Sequence, residues 1–294
     1  MIKIFAGVAV GQPITDCLNH ASVDGVALGA RWDKLQTGAT TFDWTALDAA
    51  ISEIRAKGKQ VALYISARSG GGKLLPDWLK GLGCKTYTAT NFMGETHEYA
   101  IPWDQVFLGQ YGLMLMAVAT RYPSIERIGL SCPTLEMTIP GAAAGRVGTA
   151  TYGRTTYLDA VKGMIDVHCA TFQEATIHIC APIGGICGRD RDTAFYREVM
   201  AYAPAQCVCF ATDLMSTGSA RMTPYLDLVA VKGLAYQPIW WATGDASNRI
   251  GGTYPNNFLA MLEKAKADGA AYLEIYPQDI LSTDATVQAA LEAS

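Results

Sequence analysis

Residues 25–66 read GVALGARWDKLQTGATTFDWTALDAAISEIRAKGKQVALYIS, and the pattern of this stretch decides the fold. It holds two short β-rich runs, Gly25–Trp32 and Gln60–Ser66, separated by an amphipathic segment, Trp44–Ala56. In that segment Leu47, Ala50, Ile51 and Ile54 recur at i, i+3, i+4 and i+7, the spacing of one helix face. Asp43 is placed to cap the helix and Gly58 to end it. A strand, a helix and a second strand in this order predict a parallel sheet covered by helices.

The same alternation continues in both directions. Further strands are predicted at Lys3–Val8, Ile125–Cys132, Thr176–Ala181, Val208–Asp213, Gly233–Ile239 and Ala271–Tyr276. Helices are predicted at Val106–Arg121, with Asp104 near its start, and at Tyr157–Thr171, Thr193–Tyr202 and Pro255–Ala267. A shorter helix precedes Val231, and Ala285–Ala293 closes the chain. No linker rich in Pro, Gly or Ser divides the 294 residues. The expectation is therefore an α/β fold, a single (β/α)8 TIM barrel over residues 1–294. A doubly wound open sheet is the competitor, but no phosphate-binding glycine fingerprint follows the first strand. Gly70-Gly71-Gly72-Lys73 lacks Walker spacing and reads as a loop on the active face.

Composition narrows the function. Half of the residues are apolar and 17% are charged, which suits a large core and excludes disorder. A net charge of −4 argues against a nucleic-acid partner, and no apolar run has the length of a membrane span. Met1-Ile2-Lys3-Ile4-Phe5 enters a strand without the features of a signal peptide. Synthesis in the cytoplasm is expected, with release by lysis or within a larger particle, such as a virion, as the route outward. Eight cysteines form no CxxC pair and only four histidines are present, so no zinc spacing exists. No metal or cofactor is expected. Buried free thiols are favoured over a disulfide framework, with a Cys180–Cys187 bridge as the first exception.

In such a barrel the chemistry lies at the C-terminal ends of the strands. The polar and aromatic residues found there are Trp32 and Asp33, Arg68, Glu136, Asp213, Gln237 with Trp240 and Trp241, and Glu274 with Tyr276. Trp103 lies just ahead of the helix that precedes the fourth strand. Glycosidic cleavage uses one carboxylic acid on the leaving oxygen and a second carboxylate as nucleophile or base. Tryptophan and tyrosine offer flat faces to sugar rings, while Arg, Asp and Gln bond hydroxyl groups. Each residue also has a structural role open to it. Glu136 could cap a loop or pair with an arginine, and Asp213 could cap the next helix. Glu274, between Leu273 and Ile275, points opposite to them and so toward the lumen, where an acid is costly unless paired or functional. Trp44 and Trp78 read as packing residues.

From Val23 to Trp78 the sequence resembles the large glycoside hydrolase clan that includes the retaining β-galactosidases. The resemblance is carried by Val-Ala-Leu-Gly-Ala-Arg-Trp-Asp at 26–33, Phe42-Asp43-Trp44, Lys57 to Leu63 and Pro76-Asp77-Trp78-Leu79. Pro102-Trp103-Asp104 and Arg121-Tyr122-Pro123 extend it. It implies an acid/base glutamate at the end of strand four, which Glu136 matches, although Leu135 stands where the clan has Asn. It also implies a nucleophilic glutamate on strand seven, where this chain has Gln237.

A glutamine cannot form the glycosyl ester that a carboxylate forms. Three readings follow: Glu274 acts as second carboxylate, Asp213 acts in an inverting scheme, or the barrel binds glycans without cleaving them. The first makes Glu136 general acid/base and Glu274 its partner, with Trp32, Asp33, Arg68, Trp103, Asp213, Gln237, Trp240 and Tyr276 around an oligo- or polysaccharide. The alternative is a non-catalytic glycan-binding or structural module of a phage tail or other extracellular assembly, with assembly partners in the particle.

Overall fold

Eight parallel strands form the frame. They are β1 (Lys3–Ala9), β2 (Gly25–Arg31), β3 (Gln60–Ser66), β4 (Arg127–Gly129), β5 (Thr176–Cys180), β6 (Cys207–Met215), β7 (Leu234–Pro238) and β8 (Tyr272–Ile275). They pair in the order β5-β4-β3-β2-β1-β8-β7-β6, and β5 also pairs with β6, so the fold is a single (β/α)8 TIM barrel. The structure is a computed structural model and describes residues 2–67, 75–90, 96–131, 146–147, 150–151, 153–182 and 193–294.

The longer helices are α1 (Thr45–Ala56), α2 (Gln105–Arg121), α3 (Arg154–Thr171), α4 (Thr193–Tyr202), α5 (Leu226–Lys232), α6 (Asn256–Ala267) and α7 (Ala285–Glu292). Periodicity located these helices to within three residues at each end, apart from α5, which was expected only as a segment before Val231 and runs through it to Lys232. It missed the hairpin of Thr86–Thr90 with Thr96–Ala100, whose polar alternation lacks a run of apolar residues. It also extended β2 by one residue, since Trp32 opens a short helical turn, Trp32–Leu35. Pro255, expected at the first helical position, takes the N-cap of α6 instead.

Two compact units are recognisable. The first comprises Met1–Gly29, Thr45–Leu63 and Val208–Ser294. In it, alternation along the strands separates two faces. The Tyr236 hydroxyl donates to Asp268, just beyond α6, at 3.0 Å, so Gln237 turns to the face away from that helix. Helix α6 buries Phe258, Met261, Leu262 and Ala265 at helical spacing. On β8 every residue is buried, and Glu274 pairs in register with Phe5 of β1.

The second unit comprises Ala30–Trp44 and Tyr64–Cys207. Asp104 caps α2 by accepting from the Phe107 amide at 2.9 Å. Two tyrosines tie helices to strand ends: Tyr111 donates to the Ile65 carbonyl at 2.6 Å and Tyr196 to the Ile179 carbonyl at 2.7 Å. Tyr64 on β3 and His178 on β5 meet at 2.6 Å. His168 in α3 is fully buried, with Nδ1 on the Met164 carbonyl at 2.7 Å.

Cys17, Cys84 and Cys169 are free thiols, and Cys180, Cys207 and Cys209 are buried. Burial, with Asp16 adding to it, pushes the Cys17 thiol up to about 11. Burial, with Asp104 adding to it, pushes Cys84 up to about 12, so neither is a reactive thiolate at neutral pH. Cys132 and Cys187 lie outside the described residues, and with them the Cys180–Cys187 bridge. Among the described residues no helix is long and apolar enough to cross a membrane.

Candidate active site at the ends of strands seven and eight

Within the first unit, β7 and β8 bring three side chains to one place, with β1 beside them. Glu274 of β8 is 3% exposed, and both its oxygens are engaged. The Tyr272 hydroxyl donates to Oε1 at 2.9 Å, and the Gln237 amide of β7 donates to Oε2 at 2.9 Å. Tyr272 and Glu274 share a face because they are two residues apart on a strand. Tyr272 is held in turn by Phe5, whose ring centroid lies 4.7 Å away. Gly7 of β1 completes the group: a Cβ there would sit 3.6 Å from Glu274 Oε2 and 3.7 Å from Gln237 Nε2. Any longer side chain at Gly7 would enter the space in front of the carboxylate. Both of these donors are neutral, and each stabilises negative charge on the oxygen it meets.

Beyond the strand ends lies an aromatic rim. Trp240 and Trp241 stack with centroids 3.9 Å apart, and the edge of Trp241 meets Tyr276 at 5.8 Å. The Arg249 guanidinium lies over Trp240, 4.1 Å from its centroid. Two groups that close to one indole occupy its opposite faces, so Trp240 presents an edge to solvent. Trp240, expected in the sugar-binding wall, thus has both faces covered and only an edge to offer. Trp241 and Tyr276 are half-buried and form the remaining aromatic surface.

Asp279 anchors this rim. It is fully buried and accepts from the Ala242 and Thr243 amides, each at 2.8 Å, and from the Thr243 hydroxyl. Burial raises its pKa, while these three bonds act in the opposite direction. The loop after β7 is thereby tied to the turn after β8. Sequence reasoning did not single out Asp279, because its partners are 36 and 37 residues away. Tyr272 was missed too, though period-two alternation from Glu274 was a sufficient signal.

The other expected site residues have different surroundings. Glu136 and Arg68 lie outside the described residues. Trp32 is not a sugar wall: it is fully buried, donates from Nε1 to Gln36 Oε1 at 2.7 Å, and is packed edge-on by Trp78 and Tyr111. The helical turn that begins at Trp32 carries its indole into the core. Asp33 is bound through both oxygens by Arg31, at 2.9 and 2.7 Å. Asp213 is likewise corrected. It is buried at the end of β6 and accepts from the Ser219 hydroxyl and the Arg221 amide, so it fixes its own turn. Trp103, edge-on to Tyr157, lines an open groove of about 410 Å³ with Leu108, Thr156, Asp159 and Met164 of the α2 and α3 region. Among the described residues no three His, Cys, Asp or Glu side chains are grouped to hold a metal ion.

No protein-family model matches the sequence, and no curated protein sequence matches it. Solved structures do match it in fold. The catalytic domain of a β-amylase from Paenibacillus polymyxa superposes with a TM-score of 0.65 at 13% identity, over 96% of this chain and 95% of that one. A β-galactosidase from the psychrophilic Marinomonas ef1 gives 0.61 at 11% identity, over 94% of this chain and 54% of the other. An exo-β-1,4-mannosidase from Opitutaceae bacterium strain TAV5 gives 0.57 at 13% identity, over 100% of this chain and 55% of the other. This chain thus spans about half the length of the latter two. At such identities the likeness establishes a common barrel fold, the one expected from the alternation of strands and helices along the chain.

Proposed function

We propose that this chain is a carbohydrate-active barrel that hydrolyses a glycosidic bond, with Glu136 as general acid/base and Glu274 as second carboxylate. The supporting observation is the buried Glu274 carboxylate, held by Tyr272 and Gln237 below an aromatic rim. Hydrolysis needs an ionised carboxylate on one side of the scissile bond and a protonated acid on the other. Glu274, with two neutral donors on its oxygens, suits the first role, which leaves Glu136 the second. Trp241 and Tyr276 are placed to contact sugar rings, and Gln237 both positions Glu274 and faces the same space. Structural neighbours described as a β-amylase, a β-galactosidase and a mannosidase favour a carbohydrate substrate.

The test is release of reducing ends from a panel of oligo- and polysaccharides. Glu136→Gln and Glu274→Gln are each expected to lower turnover by about 10²–10⁴-fold while the circular dichroism spectrum is unchanged. Near-wild-type turnover in either variant removes that residue from the mechanism.

One observation favours a second reading. The residue at the end of β7 is an amide, Gln237, whose Nε2 donates to Glu274. A barrel that binds glycans without cleaving them, as a module of a phage tail or another extracellular assembly, needs no second ionised group there. Binding on a glycan array without release of reducing ends would select this reading.

A further inference from the structure

Arg249 differs from the other arginines described around the strand ends. Arg31 is committed to Asp33, and Arg221 to Thr212 and Asp213. The exposed Arg249 guanidinium meets the Trp240 ring and, among the described residues, no carboxylate. Its position is nevertheless fixed. Asp245 accepts from the Arg249 amide at 2.7 Å and from the Ile250 amide at 2.5 Å. Ser216 donates to the Ile250 and Gly251 carbonyls, each at 2.9 Å. Asp279 holds the other end of the loop at Ala242 and Thr243. The loop therefore carries a cation that is oriented before any ligand arrives, which lowers the entropy lost on binding.

With its central carbon 4.1 Å from the Trp240 centroid, the guanidinium is contacted by the ring on one side and keeps an N–H edge for other partners. That edge matches a carboxylate with two parallel hydrogen bonds. From Arg249 the ring contacts run through Trp240 and Trp241 to Tyr276, two residues beyond Glu274. The cation is thus on the rim of the site that holds the buried carboxylate, at a remove from it. We propose that Arg249 is a subsite for the carboxylate of an acidic sugar, so that the glycan recognised carries uronic-acid-type residues. The inference rests on the carbohydrate reading above and narrows its substrate class.

The experiment compares matched ligands on the full chain. Calorimetry with a uronic-acid oligosaccharide and with its carboxyl-reduced, neutral counterpart gives the preference directly, and a sulfated oligosaccharide of neutral sugars forms a third arm. Wild type is expected to bind the acidic ligand about tenfold or more tightly than the reduced one, a preference that weakens with added salt. Arg249→Ala is expected to abolish the preference, and Arg249→Lys to retain part of it, since lysine keeps the charge but not the fork. Because Arg249 is exposed, both variants should melt with the wild type, and the melting curve verifies this. Equal wild-type affinity for acidic and reduced ligands overturns the inference while leaving the carbohydrate reading in place. A preference that survives in Arg249→Ala, or a stronger one for the sulfated ligand, overturns it as well. Absence of binding to every acidic and neutral glycan overturns both.

Discussion

Acidification is expected to unfold this protein through two histidines of the second unit, His168 and His178. Both are buried, at 0% and 1% exposure. Burial lowers the pKa of His168 from 6.5 to about 4. Burial, with the charge of Arg127 adding to it, lowers that of His178 from 6.5 to about 3. Below pH 6.5 the unfolded chain protonates each ring while the folded chain keeps it neutral. Stability contributed by the neutral rings is therefore fully present above pH 6.5 and is lost as the pH falls, down to about 4 for His168 and about 3 for His178. Each histidine contributes a slope of about 1.4 kcal/mol per pH unit, so the two together give about 3. Between pH 6.5 and 4.5 the loss reaches about 5 kcal/mol, comparable with the whole stability of a marginal domain. Urea denaturation followed by tryptophan fluorescence at half-unit pH steps measures this slope. His178→Asn keeps a polar atom near the position of Nδ1 but cannot titrate, and is expected to remove about half of it. The slope is the readout, so a variant that is less stable at every pH still reports. A slope unchanged in both His178→Asn and His168→Asn would refute the reasoning, because acid lability would then come from carboxylates.

Other substitutions separate packing from binding. Asp279→Ala leaves the Ala242 and Thr243 amides without their acceptor and is expected to destabilise by about 2–4 kcal/mol; the melting temperature and proteolysis within residues 240–250 measure it. Trp32→Ala is expected to destabilise by about 3–5 kcal/mol yet leave glycan affinity per folded molecule unchanged. Trp241→Ala should do the reverse, weakening glycan affinity with little loss of stability, and a large fall in melting temperature would make Trp241 a packing residue. At Gly129 an added Cβ would lie 2.1 Å from Tyr64 Cδ1, so Gly129→Ala must displace the ring and its bond to His178. A loss of about 2–4 kcal/mol is expected from overpacking and the stranded imidazole, with partial relief in the Tyr64→Leu background measured as a double-mutant cycle.

Most of the frame was legible in the sequence, because strand and helix periods are local properties. Leu47, Ile51 and Ile54 do face the core of α1, and Gln60–Ser66 is β3 to the residue. The lumenal orientation expected of Glu274 also follows from alternation alone, since Leu273 and Ile275 claim the other face. Local patterns carry no information about which distant residues meet. That Gln237 closes on Glu274 depends on β7 and β8 being neighbours in register, 37 residues apart along the chain. Trp32 reads as a strand-end aromatic, but one helical turn rotates it into the core. Asp213 reads as a strand-end acid open to catalysis or helix capping, but its own turn folds back to occupy both oxygens. Sequence by itself determined the eight-fold alternation and the supply of acids and aromatics at strand ends. Tertiary structure alone decided which of them share one place, because hydrogen bonds and ring contacts depend on distances that chain connectivity leaves open.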